Sequence, residues 1–299
     1  MWTKLRRYLG HLRSIPAMRA DLVAAKRDLA YVREALGRVE NRQVSAGNIR
    51  LADKEFRVFS QWGEDGIIQH LIRNVPIMER TFVEFGVESY REANTRFLLI
   101  NNNWSGLIID SDQQHIDAIT SEDLYWRYTL TAVCSFITPS NINSLIQQNG
   151  FSGQIGLLSI DIDGMDYWVW KSLTVVTPAI VVIEYNARFG PTRAVTVPLD
   201  DKFVRSAAHH SNIYYGASLQ ALVKLGRDKG YAFVGCNTNG NNAFFVRFDL
   251  MPSDWHNLSA PEGFVRCRFR EARKSDGQLQ FLSGEGEAEL LAGLPLVEV

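Results

Sequence analysis

The sequence predicts an α/β fold built on a mainly parallel sheet, preceded by a helical segment. Two observations predict the sheet. First, the short apolar runs TFVEFG and SGLIIDSD each end on a carboxylate and are separated by a helix-length segment, as a βαβ unit requires. Second, further apolar runs follow at residues 128–134, 156–160 and 179–184. Ligands of parallel sheets bind at the carboxyl ends of the strands, so we expect the functional site there.

The composition is that of a globular protein without an overall nucleic-acid signal. The net charge is −1 and 46% of the residues are hydrophobic, an ordinary fraction. No apolar run approaches the roughly 20 residues that span a bilayer. The cysteines lie far apart without ligand spacing, which favours a reducing compartment and predicts a cytoplasmic protein. They are Cys134, Cys236 and Cys267.

Residues 1–44 are predicted to form a basic helical segment that Pro16 interrupts. The segment up to Arg42 carries ten Lys/Arg against four Asp/Glu. Its apolar residues alternate at spacings of four and three, which indicates either a coiled coil that joins copies of the chain or an amphipathic helix packed on its own domain. The basic tip from Trp2 to Leu9 is either a solvated helix end or a peripheral contact with an anionic membrane. The apolar residues are Met18, Leu22, Ala25, Leu29, Val32, Leu36 and Val39.

Residues 45–250 are predicted to form the α/β domain, with a linker at its start and a less periodic extension at 251–299. The segment SQWGED precedes a helix, and its polar residues either cap that helix or border a ligand pocket. They are Ser60, Gln61, Glu64 and Asp65. We expect Pro178 to end a short helix before the fifth strand, and the Asn/Gly-rich turn at 237–242 predicts a closing β-hairpin.

In this order the motifs resemble those of class I S-adenosylmethionine-dependent methyltransferases, and more narrowly of the FkbM-type enzymes. The resemblance covers roughly residues 59–248 and rests on FVEFGVESY, LIIDSD, LLSIDIDGMDY, VVIEYN and the final hairpin. It implies a Rossmann-like methyltransferase sheet and S-adenosylmethionine as cofactor. The cofactor-binding residues that it implies are Glu84, Gly86, Glu88, Asn94, Asp110, Ser111, Cys134 and Asp161.

The first motif departs from the glycine-rich turn of many methyltransferases, because GVESY has Glu88 and Tyr90 where small residues are usual. Glycine at position 86 allows a close backbone approach to a ligand, and Glu88 is a candidate partner for the ammonium group of the cofactor. Asp110 is placed to accept the ribose hydroxyls or, as the alternative, to cap the next helix. A pyrophosphate needs several glycines, so the same departure weakens a dinucleotide-binding interpretation further.

Carboxylates at the ends of strands four and five are the candidates for chemistry. Asp161 and Asp163, with His210 as a further base, are the predicted catalytic residues, since a hydroxyl acceptor must lose its proton during methyl transfer. Clustered acids raise one another's pKa unless a cation relieves them. The string IDIDGMDY is similar to the metal-binding segment of catechol-type O-methyltransferases, so a Mg²⁺ site at Asp161, Glu184 and Asn186 is the alternative.

The function that these motifs imply is O-methylation of a hydroxyl on a glycan or secondary-metabolite acceptor, by a protein that forms homo-oligomers through its first helix. Two other classes stay open. One is a non-catalytic scaffold with a degenerate methyltransferase domain, which the unusual GVESY turn favours. The other is a nucleotide-dependent oxidoreductase, against which the terminal hairpin speaks.

Overall fold

The computed structural model describes residues 2–43, 50–282 and 284–299, with side chains of the first helix described from Ile15 onward. Two predictions therefore lie outside the described residues: the side-chain contacts of the basic tip, and most of the linker. The chain divides into two compact units, residues 1–43 and 44–299. Among the described residues no helix has the length and apolar character needed to cross a membrane.

The first unit is one helix, α1 (Trp2–Gln43). The predicted interruption at Pro16 is wrong, because the helix continues through it. A proline removes one backbone N–H and crowds the preceding turn, and 27 helical residues follow it here. Long helical runs on both sides therefore outweigh this local cost.

The second unit holds a seven-stranded sheet in the order β3-β2-β1-β4-β5-β8-β7. The first five strands are parallel, whereas β8 pairs antiparallel with both β5 and β7. This order confirms the predicted Rossmann-like sheet of parallel strands with a terminal antiparallel hairpin. The strands are β1 (Thr81–Phe85), β2 (Ser105–Asp110), β3 (Leu130–Cys134), β4 (Gly153–Ile160), β5 (Val176–Glu184), β6 (Val195–Thr196), β7 (Tyr231–Cys236), β8 (Asn242–Arg247) and β9 (Val297–Glu298).

Helices cover both faces of the sheet. Alternate residues of β1 point to opposite faces: Val83 and Phe85 belong to one apolar cluster and Phe82 to the other, as the two-residue period of a strand requires. The helices of this unit are α2 (Glu64–Asn74), α3 (Arg96–Asn102), α4 (Gln113–Thr120), α5 (Asp123–Arg127), α6 (Ile142–Gln148), α7 (Asp166–Ser172), α8 (Arg205–Ala208), α9 (Leu219–Asp228), α10 (Ala260–Gly263) and α11 (Gly284–Leu291).

Pro178 lies inside β5 and does not end the preceding helix as expected; α7 ends at Ser172. Strand β8 pairs with β5 only from Ile180 onward. Pro178 therefore lies where one edge of β5 has no ladder partner, which is where a strand tolerates a residue without an N–H.

Residues 251–299 pack on the same unit. Ala260, Ala272 and Leu291 are buried in the apolar cluster that contains Val83 and Phe85. Strand β9 pairs antiparallel with β6, which lies in the loop after β5. The extension is thereby held against the carboxyl ends of the central strands.

Candidate functional site

A cavity of about 600 Å³ opens at the carboxyl ends of the central parallel strands. Gly86, Asp110, Asp161 and Glu184, which follow or end four different strands, all line it. Its volume lies in the range of small-molecule sites. The sheet therefore brings the residues of the four sequence motifs to one place.

The turn after β1 needs glycine at position 86. Gly86 has φ +71°, and a Cβ atom there would lie 1.6 Å from the backbone oxygen of Asp161. Two non-glycine residues of the same turn, Glu88 and Tyr90, also adopt positive φ, at 46° and 58°. Glu88 and Tyr90 therefore adopt the left-handed conformation although neither is glycine. Burial of the Tyr90 ring and a 2.9 Å hydrogen bond between its hydroxyl and Thr95 Oγ1 help to hold it.

The carboxylate of Glu84, at the end of β1, organises this turn. Its oxygens accept hydrogen bonds from the backbone N–H groups of Asn94 and Thr95, at 2.9 and 3.1 Å, and from the hydroxyls of Thr95 and Ser159. Burial raises the pKa of Glu84, and these hydrogen bonds oppose the shift. Glu84 borders the cavity, but its main contacts are with the protein itself.

Asp110 ties the end of β2 to the same turn. Its Oδ2 accepts the backbone N–H of Glu88 at 2.7 Å, and its Oδ1 accepts that of Asp112 at 2.9 Å. His115 Nδ1 lies 3.1 Å from Oδ1, and this hydrogen bond raises the pKa of His115. The cap of α4 is Asp112, whose side chain accepts the N–H of Gln114. Of the two roles considered for Asp110, it does not have the capping one.

A second group of acids lies at the ends of β4 and β5. Carboxylate oxygens of Asp161, Asp163 and Glu184 all lie within 4.8 Å of one another. Glu184 is 6% exposed. Its Oε1 accepts a long hydrogen bond of 3.4 Å from the Tyr215 hydroxyl, and its Oε2 is buried with no hydrogen-bond partner among the described residues. Glu184 therefore has one weakly bonded and one unpaired carboxylate oxygen, and no hydrogen bond to the Asp161 carboxylate is seen in the described part of the chain.

Burial, followed by repulsion between the neighbouring acids, raises the pKa of Asp161 and of Glu184 well above the ordinary carboxyl range. The guanidinium of Arg205 opposes both shifts. The neighbouring Asp166 has another role: its carboxylate accepts the N–H groups of Ile162 and Gly164 at 2.9 Å and so holds the turn after β4.

Arg205 comes from the loop after β5 and was not identified from the sequence. Its guanidinium forms ion pairs with Asp163 and with Glu271 and lies 3.7 Å from the centre of the Tyr215 ring. Arg188, from the start of the same loop, pairs with Glu271 and Glu287 at 2.9 and 3.0 Å. Acids of the C-terminal extension thus fix both ends of this loop beside the cavity.

The structure brings most of the predicted site residues together at the cavity. The residues that line it are Glu84, Gly86, Glu88, Asn94, Asp110, Ser111, Asp161, Asp163 and Glu184. The lining that sequence reasoning missed is mainly His115, Phe136, Arg205, Asn242, Phe269 and Glu271.

Three predicted residues have other positions. Cys134 is exposed, and the next residue, Ser135, lines the cavity in its place. His210 is exposed and is not part of the cavity lining; its ring centre lies 4.2 Å from that of His209, with the two rings tilted by 47°. Asn186 is fully buried; its amide donates to the carbonyls of residues 213 and 215, and its oxygen accepts the N–H of Arg188. Asn186 therefore holds the loop through both atoms of its amide group.

The polar residues of the SQWGED segment were expected either to cap α2 or to border a ligand pocket. Asp65 Oδ2 accepts the N–H groups of Val58, Phe59 and Ser60 at 2.7–2.8 Å and is structural. Gln61 lines the cavity. Asp65 does not cap the helix: the N-cap of α2 is Gly63, and the side chain that accepts a first-turn N–H is Ser60, from Asp65 at 3.0 Å.

No family model and no curated protein matches this chain. Among solved structures, it is similar to an S-adenosylmethionine-dependent methyltransferase from Clostridium acetobutylicum, with 10% identity and a TM-score of 0.39 over 62% of this chain and 90% of that one. It is also similar to a putative O-methyltransferase from Klebsiella pneumoniae (12%, TM-score 0.39, 72% and 90%). A third is the O-methyltransferase from Bacillus cereus in complex with SAH (12%, TM-score 0.39, 72% and 89%). Likeness at this level assigns no activity.

Proposed function

We propose that this chain is an S-adenosylmethionine-dependent O-methyltransferase. The observation that carries the proposal is the single cavity that joins two unlike groups of residues. On one side are the glycine turn and the hydrogen-bonded Asp110, and on the other are the poorly satisfied carboxylates of Asp161 and Glu184. The first group suits a bound nucleoside, and the second suits proton transfer.

The cofactor would lie along the ends of β1 and β2. A carboxylate has about four acceptor positions, and Asp110 uses three of them within the protein. The remaining position on Oδ2 accepts one ribose hydroxyl. Glu88 lines the same wall and pairs with the ammonium group of the methionine part. Phe136 and Ile137 supply an apolar surface for the adenine ring.

In the proposed reaction, an acceptor hydroxyl attacks the methyl carbon of the sulfonium. The new carbon–oxygen bond forms as the carbon–sulfur bond breaks, and the electron pair of that bond remains on sulfur. Glu184, or Asp161 beside it, takes the proton of the hydroxyl. A raised pKa favours this step, because it makes the ionised carboxylate a stronger base. The products are a methyl ether and S-adenosylhomocysteine.

A divalent cation is a second candidate in this site. The three oxygen donors of Asp161, Asp163 and Glu184 suit Mg²⁺, and Glu184 Oε2 lacks a partner. When bound, the ion would polarise the acceptor hydroxyl. Asp163 already pairs with Arg205, so metal binding must compete with this guanidinium.

Calorimetric titration of the protein with Mg²⁺ tests the ion directly. A metal site predicts saturable binding that Glu184→Gln abolishes, together with turnover that falls in EDTA. Unchanged turnover in excess EDTA and no heat of binding would leave the carboxylate alone as the base.

The acceptor follows only from the sequence resemblance, which implies a glycan or secondary-metabolite hydroxyl. We further propose that α1 joins copies of the chain. Deleting residues 1–44 should then lower the number of chains per particle measured by light scattering, whereas the cofactor site, built within the second unit, should still bind its ligand. The cytoplasmic location stays a prediction.

A thermal-shift titration tests the proposed cofactor. A ligand at 100 times its dissociation constant adds about 2.7 kcal/mol to the unfolding free energy. We expect this shift with S-adenosylhomocysteine and none with NAD. A shift with NAD alone would favour an oxidoreductase. Binding of S-adenosylhomocysteine without transfer of labelled methyl groups to a panel of hydroxylated acceptors would favour the scaffold.

A further inference from the structure

The described part of helix α1 carries an exposed apolar stripe along one side. Its large residues, spaced alternately three and four apart, have exposed fractions between 45% and 67%. This spacing places them on one seam, in the a and d positions of a heptad repeat. The seam consists of Ile15, Leu22, Leu29 and Leu36 at a, and Met18, Ala25, Val32 and Val39 at d.

Between residues 19 and 33 the charged residues beside the seam are sorted by sign, whereas Glu40 at e and Arg42 at g depart from this order. The e positions carry Arg19, Lys26 and Arg33, and the g positions of the same stretch carry Asp21 and Asp28. Positions e and g flank the seam and contact the neighbouring helix of a coiled coil, where they set partner choice and orientation. Over this stretch one edge of the seam is therefore basic and the other acidic.

We propose that this stripe binds the same stripe of a second copy of the chain, parallel and in register. In that arrangement each g residue faces the e residue five positions later in the partner helix. Asp21 then meets the partner copy's lysine at position 26, and Asp28 meets the arginine at position 33. Each pair occurs twice by symmetry, so all four contacts join opposite charges. The inference rests on the oligomer proposed above and adds its direction and register.

The opposite direction brings like charges together. In an antiparallel pair, e positions face e positions and g positions face g positions. With the seams aligned over Ile15 to Val39, Lys26 would face its own copy, Arg19 would face Arg33, and Asp28 would face its own copy. Like charges side by side are destabilising. The charge pattern thus selects the parallel arrangement.

Cysteine cross-linking distinguishes the two directions. The variant Val39→Cys is made in full-length Cys134→Ser protein, because Cys134 is exposed. In the parallel register the two new thiols meet at a d position, so mild oxidation should link most of the chains. In the antiparallel arrangement they lie about 36 Å apart, at 1.5 Å per residue along the helix. Cross-linking only in a mixture of Ile15→Cys and Val39→Cys chains would overturn the proposed direction.

The matched control is Val23→Cys, at a b position on the outer side of the same helix with an exposed fraction of 68%. It should remain unlinked under the same oxidation. Equal linkage of Val23→Cys and Val39→Cys would show random collision and overturn the register.

A charge exchange tests the flanking pairs. Asp21→Lys should raise the dissociation constant about tenfold by placing like charges at two symmetric contacts. Adding Lys26→Asp restores opposite charges and should restore the affinity. No rescue would overturn the assigned pairs. If light scattering gives the 33.9 kDa mass of one chain at every concentration, the chain is a monomer and the proposed pairing is wrong. Binding of S-adenosylhomocysteine is measured separately on the same variants, so that a failure of the cofactor proposal can be told from a failure of the pairing.

Discussion

The carboxylates on the β1–β2 side of the cavity have different surroundings from those on the β4–β5 side. At the ends of β1 and β2, Glu84 and Asp110 accept backbone N–H groups within hydrogen-bond distance. At the ends of β4 and β5, Asp161 and Glu184 face other acids, and one oxygen of Glu184 finds no partner in the part of the chain that the structure describes. Burial raises the pKa of Glu84 as well as those of Asp161 and Glu184, so what distinguishes the two sides is hydrogen bonding to the backbone on one and repulsion between acids on the other.

This difference indicates that the carboxylates on one side hold the backbone and that those on the other side are suited to proton transfer. A carboxylate that accepts several N–H groups is stabilised in its charged form and fixes the backbone around it. A buried carboxylate beside like charges is costly to ionise, so it takes a proton readily. The β1–β2 side is thus suited to hold a ligand in place, and the β4–β5 side is suited to change its protonation during a reaction.

Among the variants that test the difference between the two sides, we expect Glu184→Gln to have the largest effect, which is on kcat. Removing the proposed base should lower kcat by about 10²–10⁴-fold. The affinity for S-adenosylhomocysteine should stay the same, and the unfolding free energy should not fall, because a neutral amide replaces a buried carboxylate with one unpaired oxygen. Initial rates, calorimetry and urea unfolding measure these quantities.

Glu84→Gln is the matched control, since it makes the same change in the other half of the cavity. Its carboxylate holds Asn94 and Thr95, so the variant should lose about 2–3 kcal/mol of unfolding free energy. Comparable losses of stability in both variants would contradict the division between the two halves.

The next largest effect concerns the close contact between Gly86, after β1, and the backbone of Asp161, after β4. In Gly86→Ala the new Cβ would overlap the backbone oxygen of Asp161 at 1.6 Å, so β1 and β4 must separate or the turn must change. We expect the unfolding free energy to fall by at least about 3 kcal/mol and cofactor binding to weaken with it.

Gly150→Ala separates steric overlap from backbone strain. Gly150 has φ +85°, and a Cβ there would meet nothing within 4 Å. It should lose only about 1 kcal/mol, the cost of a left-handed non-glycine residue. Equal losses in the two variants, measured by urea unfolding, would show that strain alone explains Gly86.

The sequence predicted the contrast only in part. Apolar runs that end on acids located Glu84, Asp110, Asp161 and Glu184, because a parallel sheet brings such ends to one edge. The sequence could not show which of these carboxylates is well hydrogen-bonded and which is not, since hydrogen bonding and burial depend on neighbours from other segments. Glu84 is held by residues about ten positions later, whereas Glu184 has no comparable partner for Oε2.

Residues from loops were the hardest to predict. Arg205, Phe269 and Glu271 reach the cavity from segments without a regular period, so only tertiary packing places them. A basic residue was needed near three clustered acids, which is the one signal that pointed toward Arg205. His210 and Asn186 are not among the residues that line the cavity; residue type alone does not tell where a loop side chain points.

A pH effect of intermediate size concerns Asp166, which is fully buried beside the β4–β5 acids. Burial raises its pKa from 3.8 to about 6. Because the folded-state pKa lies above the unfolded one, its contribution to stability is fully present below about pH 3.8 and is lost as pH rises through about 6. The loss approaches about 3 kcal/mol, at about 1.36 kcal/mol per pKa unit.

Asp166→Asn removes this titration. Urea unfolding of both proteins between pH 4 and 7 should show a wild-type free energy that falls relative to the variant as pH rises. A difference independent of pH would contradict the raised pKa. Asp65, whose pKa burial also raises to about 6, contributes equally to both proteins and cancels in the comparison.

The smallest effect tests the ligand-holding half alone. Asp110→Asn keeps one acceptor oxygen for the backbone but loses the charge beside the proposed ribose site, so the dissociation constant for S-adenosylhomocysteine should rise about tenfold, or about 1.4 kcal/mol. Asp117→Asn is its control, because Asp117 lies on α4 and hydrogen-bonds Gln113 in an exposed position. Calorimetry should show unchanged affinity in this control. Equal affinity in all three proteins would mean that Asp110 serves only the turn at Glu88, and the cofactor would then need another anchor on this wall.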